Sequence, residues 1–277
     1  MIGGRANARA DGHPTNGASA PEVAAGSGAD VFARFAYAPN DLGYCGPPDA
    51  AALREGTVAQ VRAAARRFSG AWPYLRVMAR MTGITDPLDH RLVESYWLGG
   101  GLGADLDHES FAHELLAMLG PAAGHYWKHL TPDLGREAAP NHCFHVFGVY
   151  PWSRLLGVGT GEHPLRILDD CRITWAVVRA RRGDEITVEC RRLLLDGSRL
   201  RLSAPETRSV TAVSSARRLA TEADVGDRVA LHWGRVCGRI DENLTRVLAE
   251  ATEHQLRVTN ARLAAAGGPD PACSVHR

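Results

Sequence analysis

The stretch VGDRVALHWG, residues 225–234, decides the fold of this 277-residue chain. Its apolar and polar residues alternate with the period of a strand that buries one face, and a strand is predicted over 229–236. The segment RIDEN at 239–243 then leads into a helical pattern. That pattern is marked by Leu244, Val247, Leu248, Ala251, Gln255 and Val258. We therefore predict a last strand followed by a closing amphipathic helix.

Four more strands are predicted upstream of this stretch. They are rich in Val, Ile, Thr and Leu and cover 171–180, 185–195, 199–202 and 208–213. Asp196-Gly197 is a tight-turn signal between two of them. Five short strands in one segment predict a small closed or nearly closed β-barrel over 165–240. Because the first and last strands of a closed barrel can be neighbours, we expect Cys171 and His232 to lie near each other.

The first half of the chain has helical periodicity instead. Its helix-start and helix-end residues predict a helical domain over 31–140, which includes a helix over 49–68 with Asp49 as its N-cap. One further strand is predicted over 141–149. The expected fold class is therefore α+β, with an N-terminal helical domain followed by an OB-like β-barrel domain with a C-terminal helix over 141–265.

Composition and charge argue against some classes of function. The formal net charge is +1, which gives no reason to expect a nucleic acid or a membrane surface as partner. No apolar run is long enough for a transmembrane helix, so we expect a cytoplasmic protein whose six cysteines are reduced thiols. The segments 1–28 and 266–277 are rich in small and polar residues and are predicted to be disordered tails.

The segment that carries Cys171 and His232 resembles a known family. A strand led by Cys171, a strand of the form VGD-x-V-x-x-H-x-G and an acidic start to the closing helix are similar to the small [NiFe]-hydrogenase maturation chaperones of the HypC/HupF type. The resemblance covers about 170–258 and implies that Cys171 and His232 handle an iron centre. The chain departs from the family in three ways: Cys171 is internal, Thr174-Trp175 stands where the family has Pro-Gly, and WGRVC at 233–237 replaces a smaller aromatic ending.

The chain as a whole resembles an actinobacterial family of unknown function. This second resemblance rests on FAYAP at 35–39 with the residues up to Gly46, and on VYPW at 149–152. It implies an association with hydrogenase gene clusters. An accessory factor of this kind would bind a hydrogenase large subunit, a maturation protein or a metal fragment, with iron or nickel as the metal.

Cys45 is a separate candidate for thiol chemistry. It stands in GYCGPPD, residues 43–49, where the flanking glycines and prolines predict a turn that leaves the thiol little steric cover. The N-terminus of the helix predicted from Asp49 would favour a thiolate, which suits a nucleophile or a soft-metal ligand. The structural alternative is a loop held in place by the packing of Tyr44.

The segment NHCFHVF, residues 141–147, is the densest group of candidate ligands. In a strand, Cys143 and His145 would point to one face and His142 to the other. A thiolate and an imidazole on one face could supply two of the four ligands of a zinc or iron site. The alternative is a half-buried strand in which Cys143 only packs.

Two functions from different classes fit these residues. The first is a hydrogenase accessory factor that acts through Cys171 and His232. The second is a small-molecule enzyme with Cys45 as nucleophile and His142 or His145 as base. An enzyme should place Cys45 within hydrogen-bond reach of a histidine in a pocket, whereas an assembly factor should show exposed thiols beside an apolar docking patch. A pure scaffold would bury every cysteine for packing.

Overall fold

The mixed α+β class predicted from the sequence is confirmed, with helices first and strands after them. The computed structural model describes residues 26–120, 127–157, 162–212, 216 and 219–266. The predicted tails, 1–28 and 266–277, therefore lie outside the described residues except at 26–28 and 266.

Seven α-helices lie in the described part of the first half. They are α1 Gly28–Asp41, α2 Ala51–Glu55, α3 Val58–Ala65, α4 Ala71–Thr82, α5 His90–Leu98, α6 Gly101–Ala104 and α7 His108–Leu119. The single helix predicted over 49–68 is wrong, because the backbone becomes extended at Gly56. Thr57 and Gln60 then form a capping box that starts α3 afresh.

Helix α1 is the centre of the helical part. Phe32 and Phe35 on this helix are fully buried. Phe35 stacks on Trp97 of α5 with ring centroids 5.3 Å apart, and Phe32 meets Phe68 edge-on at 5.2 Å. Aromatic pairs at these separations add to the stabilisation from burial alone. The Phe35–Trp97 stack fixes α1 against α5, and both helices contribute groups to the site described below.

The strand predicted over 141–149 is wrong. The structure has a short helix, α8 His142–Phe144, which continues as a π-helix over His145–Val149. The Asn141 side chain accepts a hydrogen bond from the backbone N–H of Phe144 and so starts the helix. Residues 142–149 are all buried, so the sequence has no exposed face that would reveal helical periodicity. Two 3₁₀ helices, Pro132–Glu137 and Pro151–Arg154, lie on either side.

The second half contains helix α9 His163–Cys171, seven described strands and a final helix. The strands are β1 Thr174–Arg182, β2 Glu185–Cys190, β3 Leu193–Asp196, β4 Arg199–Leu202, β5 Glu206–Thr211, β6 Arg228–His232 and β7 Arg235–Arg239. Five of them pair in the order β1-β2-β5-β7-β6, and β6 pairs back with β1. Strands β3 and β4 form a separate two-stranded sheet around the turn at 197–198.

Three strand predictions are corrected by this topology. Cys171 does not open a strand, because it is the last residue of α9 and the pairing of β1 with β6 begins at Thr174. The strand predicted over 185–195 is broken at residues 191–192 into β2 and β3. The strand predicted over 229–236 is a hairpin of β6 and β7, which turns at Trp233 and Gly234, both with positive φ.

Helix α10, Glu242–Ala266, joins the two halves of the molecule. Its Leu248 belongs to the same core as Phe32 of α1, and Ala230 of β6 and Cys237 of β7 belong to that core as well. Part of the five-stranded sheet therefore packs on the helical core, and the candidate site lies where they meet, while other sheet residues such as Val178 and Val188 form a separate core. Within the described ranges, no helix combines the length and the apolar character needed to cross a membrane.

Candidate functional site

A cavity of about 240 Å³ lies at the junction of the helical part and the sheet. Its walls are largely aromatic and include Trp97, Trp152 and Trp233. No described residue that lines it carries a carboxylate, an ammonium or a guanidinium group. Two thiols and three imidazoles line it instead, and these are the groups that give the cavity its chemistry.

Three of these groups form a compact cluster. Candidate ligand atoms of His142, Cys171 and His232 all lie within 4.8 Å of one another, and all three residues are buried. His142 starts α8, Cys171 ends α9 and His232 ends β6. The structure thus brings together Cys171 and His232, the pair that the resemblance singles out. It adds His142, which the wrong strand prediction had placed on an opposite face from Cys143 and His145.

His232 presents a free nitrogen to this cluster. Its Nδ1 lies 2.6 Å from the carbonyl oxygen of Phe35. A carbonyl oxygen can only accept, so Nδ1 carries the proton and Nε2 has the lone pair. The buried Nε2 has no hydrogen-bond partner among the described residues. Burial lowers the pKa of His232 to about 4, so the ring is neutral at physiological pH.

His142 is held at both ring nitrogens. Nδ1 lies 3.1 Å from the hydroxyl of Tyr96, and Nε2 lies 3.0 Å from the carbonyl oxygen of Cys171. The same Nε2 is 3.9 Å from the Cys171 Sγ. Burial, together with the neighbouring histidines, lowers the pKa of His142 well below its usual value. The ring is therefore a neutral imidazole placed beside the thiol.

Cys171 is a protonated thiol in this environment. Burial is the main cause that raises its pKa well above the ordinary value for a cysteine. A bound cation would reverse this, since a metal ion deprotonates a coordinating thiol. One thiolate and two imidazoles are a donor set that suits zinc, iron or nickel. Because the buried Nε2 of His232 has no hydrogen-bond partner among the described residues, these residues fit a metal ion. The donor set does not determine which metal it is.

Cys45 and His145 line the same cavity outside the three-residue cluster. Burial raises the pKa of Cys45 to about 12, so the expected stabilised thiolate is wrong. The nearest downstream helix begins only at Ala51, and desolvation of the thiol outweighs any effect of that helix end. Burial lowers the pKa of His145 to about 4, and its Nδ1 has no hydrogen-bond partner in the described part of the chain.

Cys143 and His145 do not form the pair expected from a strand. Cys143 faces α10, where its Sγ lies 3.7 Å from the Thr252 hydroxyl, while His145 faces the cavity. They diverge because successive residues of a helix advance around its axis, so positions two apart do not share a face. Burial raises the pKa of Cys143 to about 11. This thiol is a packed core group.

Two features of the site were not predicted from the sequence: the contact of Tyr96 with His142, and the placement of His142 beside Cys171 and His232. His142 and Tyr96 are 46 residues apart and meet only because α5 packs against α8. The available local signal was Asn141, a strong N-cap residue placed directly before His142. A helix starting there would put His142 and His145 three residues apart on one face.

Fold and site together define a class: a mixed α+β protein that holds a neutral cluster of thiol and imidazole groups in an aromatic cavity. The chain belongs to a family of unknown function (DUF6390), which matches residues 24–266. Comparisons with curated proteins and with solved structures give no match. The family match carries no link to hydrogenase genes or to the maturation chaperones, so that link enters only as a proposal.

Proposed function

We propose that this protein is an accessory factor for assembly of the [NiFe]-hydrogenase metal centre, and that it holds a metal ion or metal fragment between His142, Cys171 and His232. One observation carries the proposal. These three residues come from separate parts of the chain, yet their ligand atoms lie within 4.8 Å of one another at a buried cavity. A buried polar group without a partner is costly, and a metal ion would satisfy the orphaned Nε2 of His232.

The resemblance to the maturation chaperones supports this choice of function. Cys171 and His232 are the two positions that the resemblance links to an iron centre, and they lie side by side here. The pairing order β1-β2-β5-β7-β6 with return to β1 supports an OB-like barrel, which is a five-stranded Greek-key arrangement. The third donor, His142, lies outside the resembling segment.

The proposed partners are a hydrogenase large subunit or another maturation protein, in the cytoplasm. The three proposed ligands are buried, contrary to the exposed thiols expected of an assembly factor. Transfer of the metal would therefore require the cavity to open. Tyr44, whose ring stacks on Trp233 at a centroid distance of 4.0 Å, is 40% exposed and lines the cavity. It is the side chain at which we propose that a partner first makes contact.

The experiment is hydrogenase maturation in a host that depends on this protein. Cys171→Ala and His232→Gln should each reduce hydrogenase activity, with the level of the accessory protein unchanged on a blot. Cys190→Ala is the matched control, because Cys190 is a buried thiol of β2 outside the cavity. Full activity with both cavity variants at normal abundance would contradict the proposal.

A second candidate is the small-molecule enzyme with Cys45 as nucleophile. It is favoured by the cavity itself, which Cys45 shares with His142 and His145. It ranks lower because the pKa of Cys45 is raised and no hydrogen bond joins this thiol to an imidazole in the described structure. Iodoacetamide labelling tests it: a reactive nucleophile would be labelled rapidly at neutral pH, and Cys45→Ser would remove the labelling.

A further inference from the structure

Tyr96 of α5 occupies a position that the proposed metal site alone does not explain. Its ring is fully buried, and its hydroxyl meets Nδ1 of His142 at 3.1 Å. The ring is fixed by packing against Trp97, with centroids 4.8 Å apart, and against Tyr74 at 5.2 Å. The hydroxyl is therefore held at one place beside the imidazole.

The hydrogen bonds define the tautomer of His142 in the metal-free protein. Nε2 faces the carbonyl oxygen of Cys171, which can only accept, so Nε2 carries the ring proton. Nδ1 of the neutral ring then has the lone pair and accepts a hydrogen bond from the Tyr96 hydroxyl. In this state neither nitrogen of His142 has a lone pair available for a metal ion.

Nε2 is nevertheless the nitrogen that faces the thiol, at 3.9 Å from the Cys171 Sγ. We propose that Tyr96 is a positioning residue that lets the ring proton of His142 move from Nε2 to Nδ1, so that Nε2 becomes a metal ligand. This inference rests on the proposed metal site. A phenol oxygen both donates and accepts, so the Tyr96 hydroxyl can rotate and accept from the new Nδ1–H.

The proton balance of this change is simple. Nε2 loses one proton and Nδ1 gains one, so the ring stays neutral, and Tyr96 keeps its own proton. The hydrogen bond to the Cys171 carbonyl is exchanged for the bond between Nε2 and the metal. Ligating histidines commonly donate their second N–H to an outer partner, which fixes the ring and strengthens the ligand. Tyr96 would be that partner here.

The first test compares zinc affinity between two tyrosine variants, measured by competition with a chromogenic chelator. Tyr96→Phe should weaken zinc binding by roughly 10–100-fold, the usual effect of removing an outer partner of a metal ligand. Tyr74→Phe is the matched control. Tyr74 is equally buried in the same aromatic group, and its hydroxyl has no hydrogen-bond partner among the described residues. Equal affinities for the wild type and both variants would overturn the role of Tyr96.

The second test reads the tautomer directly by ¹⁵N NMR of labelled histidine, with His142→Gln used for assignment. The proton of His142 should be on Nε2 in the metal-free protein and on Nδ1 in the zinc-loaded protein. An unchanged tautomer in zinc-loaded protein would overturn this inference while leaving the metal site intact. Failure of the wild type to bind zinc, iron or nickel would overturn the metal site itself and the inference with it.

Discussion

The three histidines and Cys171 that line the cavity are buried and uncharged. The pKa of His145 and of His232 is lowered to about 4, the pKa of His142 is lowered well below its usual value, and the pKa of Cys171 is raised, with burial as the leading cause in every case. Placing a divalent ion in this buried cavity without a negatively charged ligand would cost free energy. A thiolate at Cys171 offsets one of its charges, so that binding of the ion and loss of the thiol proton should occur together.

We therefore predict that metal affinity rises with pH. The buried imidazoles are already neutral above pH 7, because the pKa of His232 is lowered to about 4 and that of His142 is lowered well below its usual value, so they take no part in this dependence. The thiol alone must lose a proton, so the apparent association constant should rise about tenfold per pH unit between pH 7 and 8.5. Isothermal titration calorimetry with zinc at several pH values measures how the logarithm of the association constant changes with pH. A slope of zero would show that Cys171 is not a ligand.

At the level of secondary structure, α9 is held to the two-stranded sheet by buried charges. Asp169 of α9 accepts hydrogen bonds from the Nε of Arg172 at 3.1 Å and from the backbone N–H of Leu193 at 2.8 Å, and it also pairs with Arg192. Asp169 and Arg172 are almost fully buried and lie on either side of Cys171. This ion pair fixes the end of α9 and with it the thiol.

Asp169→Asn should cost about 3–5 kcal/mol of unfolding free energy, because it leaves the Arg172 guanidinium buried without its countercharge. The matched control is Asp196→Asn. Asp196 pairs with Arg201 at 3.4 Å where both side chains are exposed, so its loss should cost less than about 1 kcal/mol. Urea denaturation of the two variants measures both losses of unfolding free energy. Similar midpoints would mean that the Asp169 pair does not stabilise this helix end.

The elements differ in how well the sequence predicts them. Strand β4 and helix α10 follow the predicted segments, whereas β5 begins two residues before the predicted segment 208–213 and has no regular alternation of burial. The segment 141–149 is buried on every side, so its pattern carries no period, and it was predicted as a strand although it is helical. Cys45 was predicted to have little steric cover, but a turn does not reveal what packs over it, and the residue is only partly exposed in the structure.

At the scale of the whole molecule, the site is built from distant parts of one chain. The resemblance indicated Cys171 and His232 from their local sequence. His142 could not be derived in this way, because it reaches the cluster only through the packing of α8 against α5 and α9. Long-range packing of this kind leaves no local pattern, so the complete donor set becomes visible only in the folded structure.

Three neutral histidines in one core also make stability depend on pH. The unfolded chain takes up protons at these residues near pH 6.5, whereas the folded protein resists protonation until about pH 4. Stability is therefore fully present above pH 6.5 and is lost as the pH falls, by up to about 1.4 kcal/mol per pH unit for each histidine.

We predict that the free energy of unfolding decreases steeply between pH 6.5 and 5.5 in metal-free protein. In His145→Gln the free energy of unfolding should change less with pH, by the contribution of about one proton taken up on unfolding, because one buried imidazole is gone. Urea titrations across this pH range measure both slopes. Stability that stays constant over the range would contradict the neutral, buried state of the histidine cluster.

The central claim is that the cavity binds one metal ion through Cys171. The most direct measurement is an anaerobic titration of the purified protein with Co²⁺, followed by the sulfur-to-cobalt charge-transfer absorption. Wild type and Cys143→Ala should each bind one ion per chain with this absorption, since Cys143 is a buried thiol outside the cavity. Cys171→Ala should lose the absorption while it remains folded. An equally strong absorption in Cys171→Ala, or its absence from the wild type, would contradict the claim.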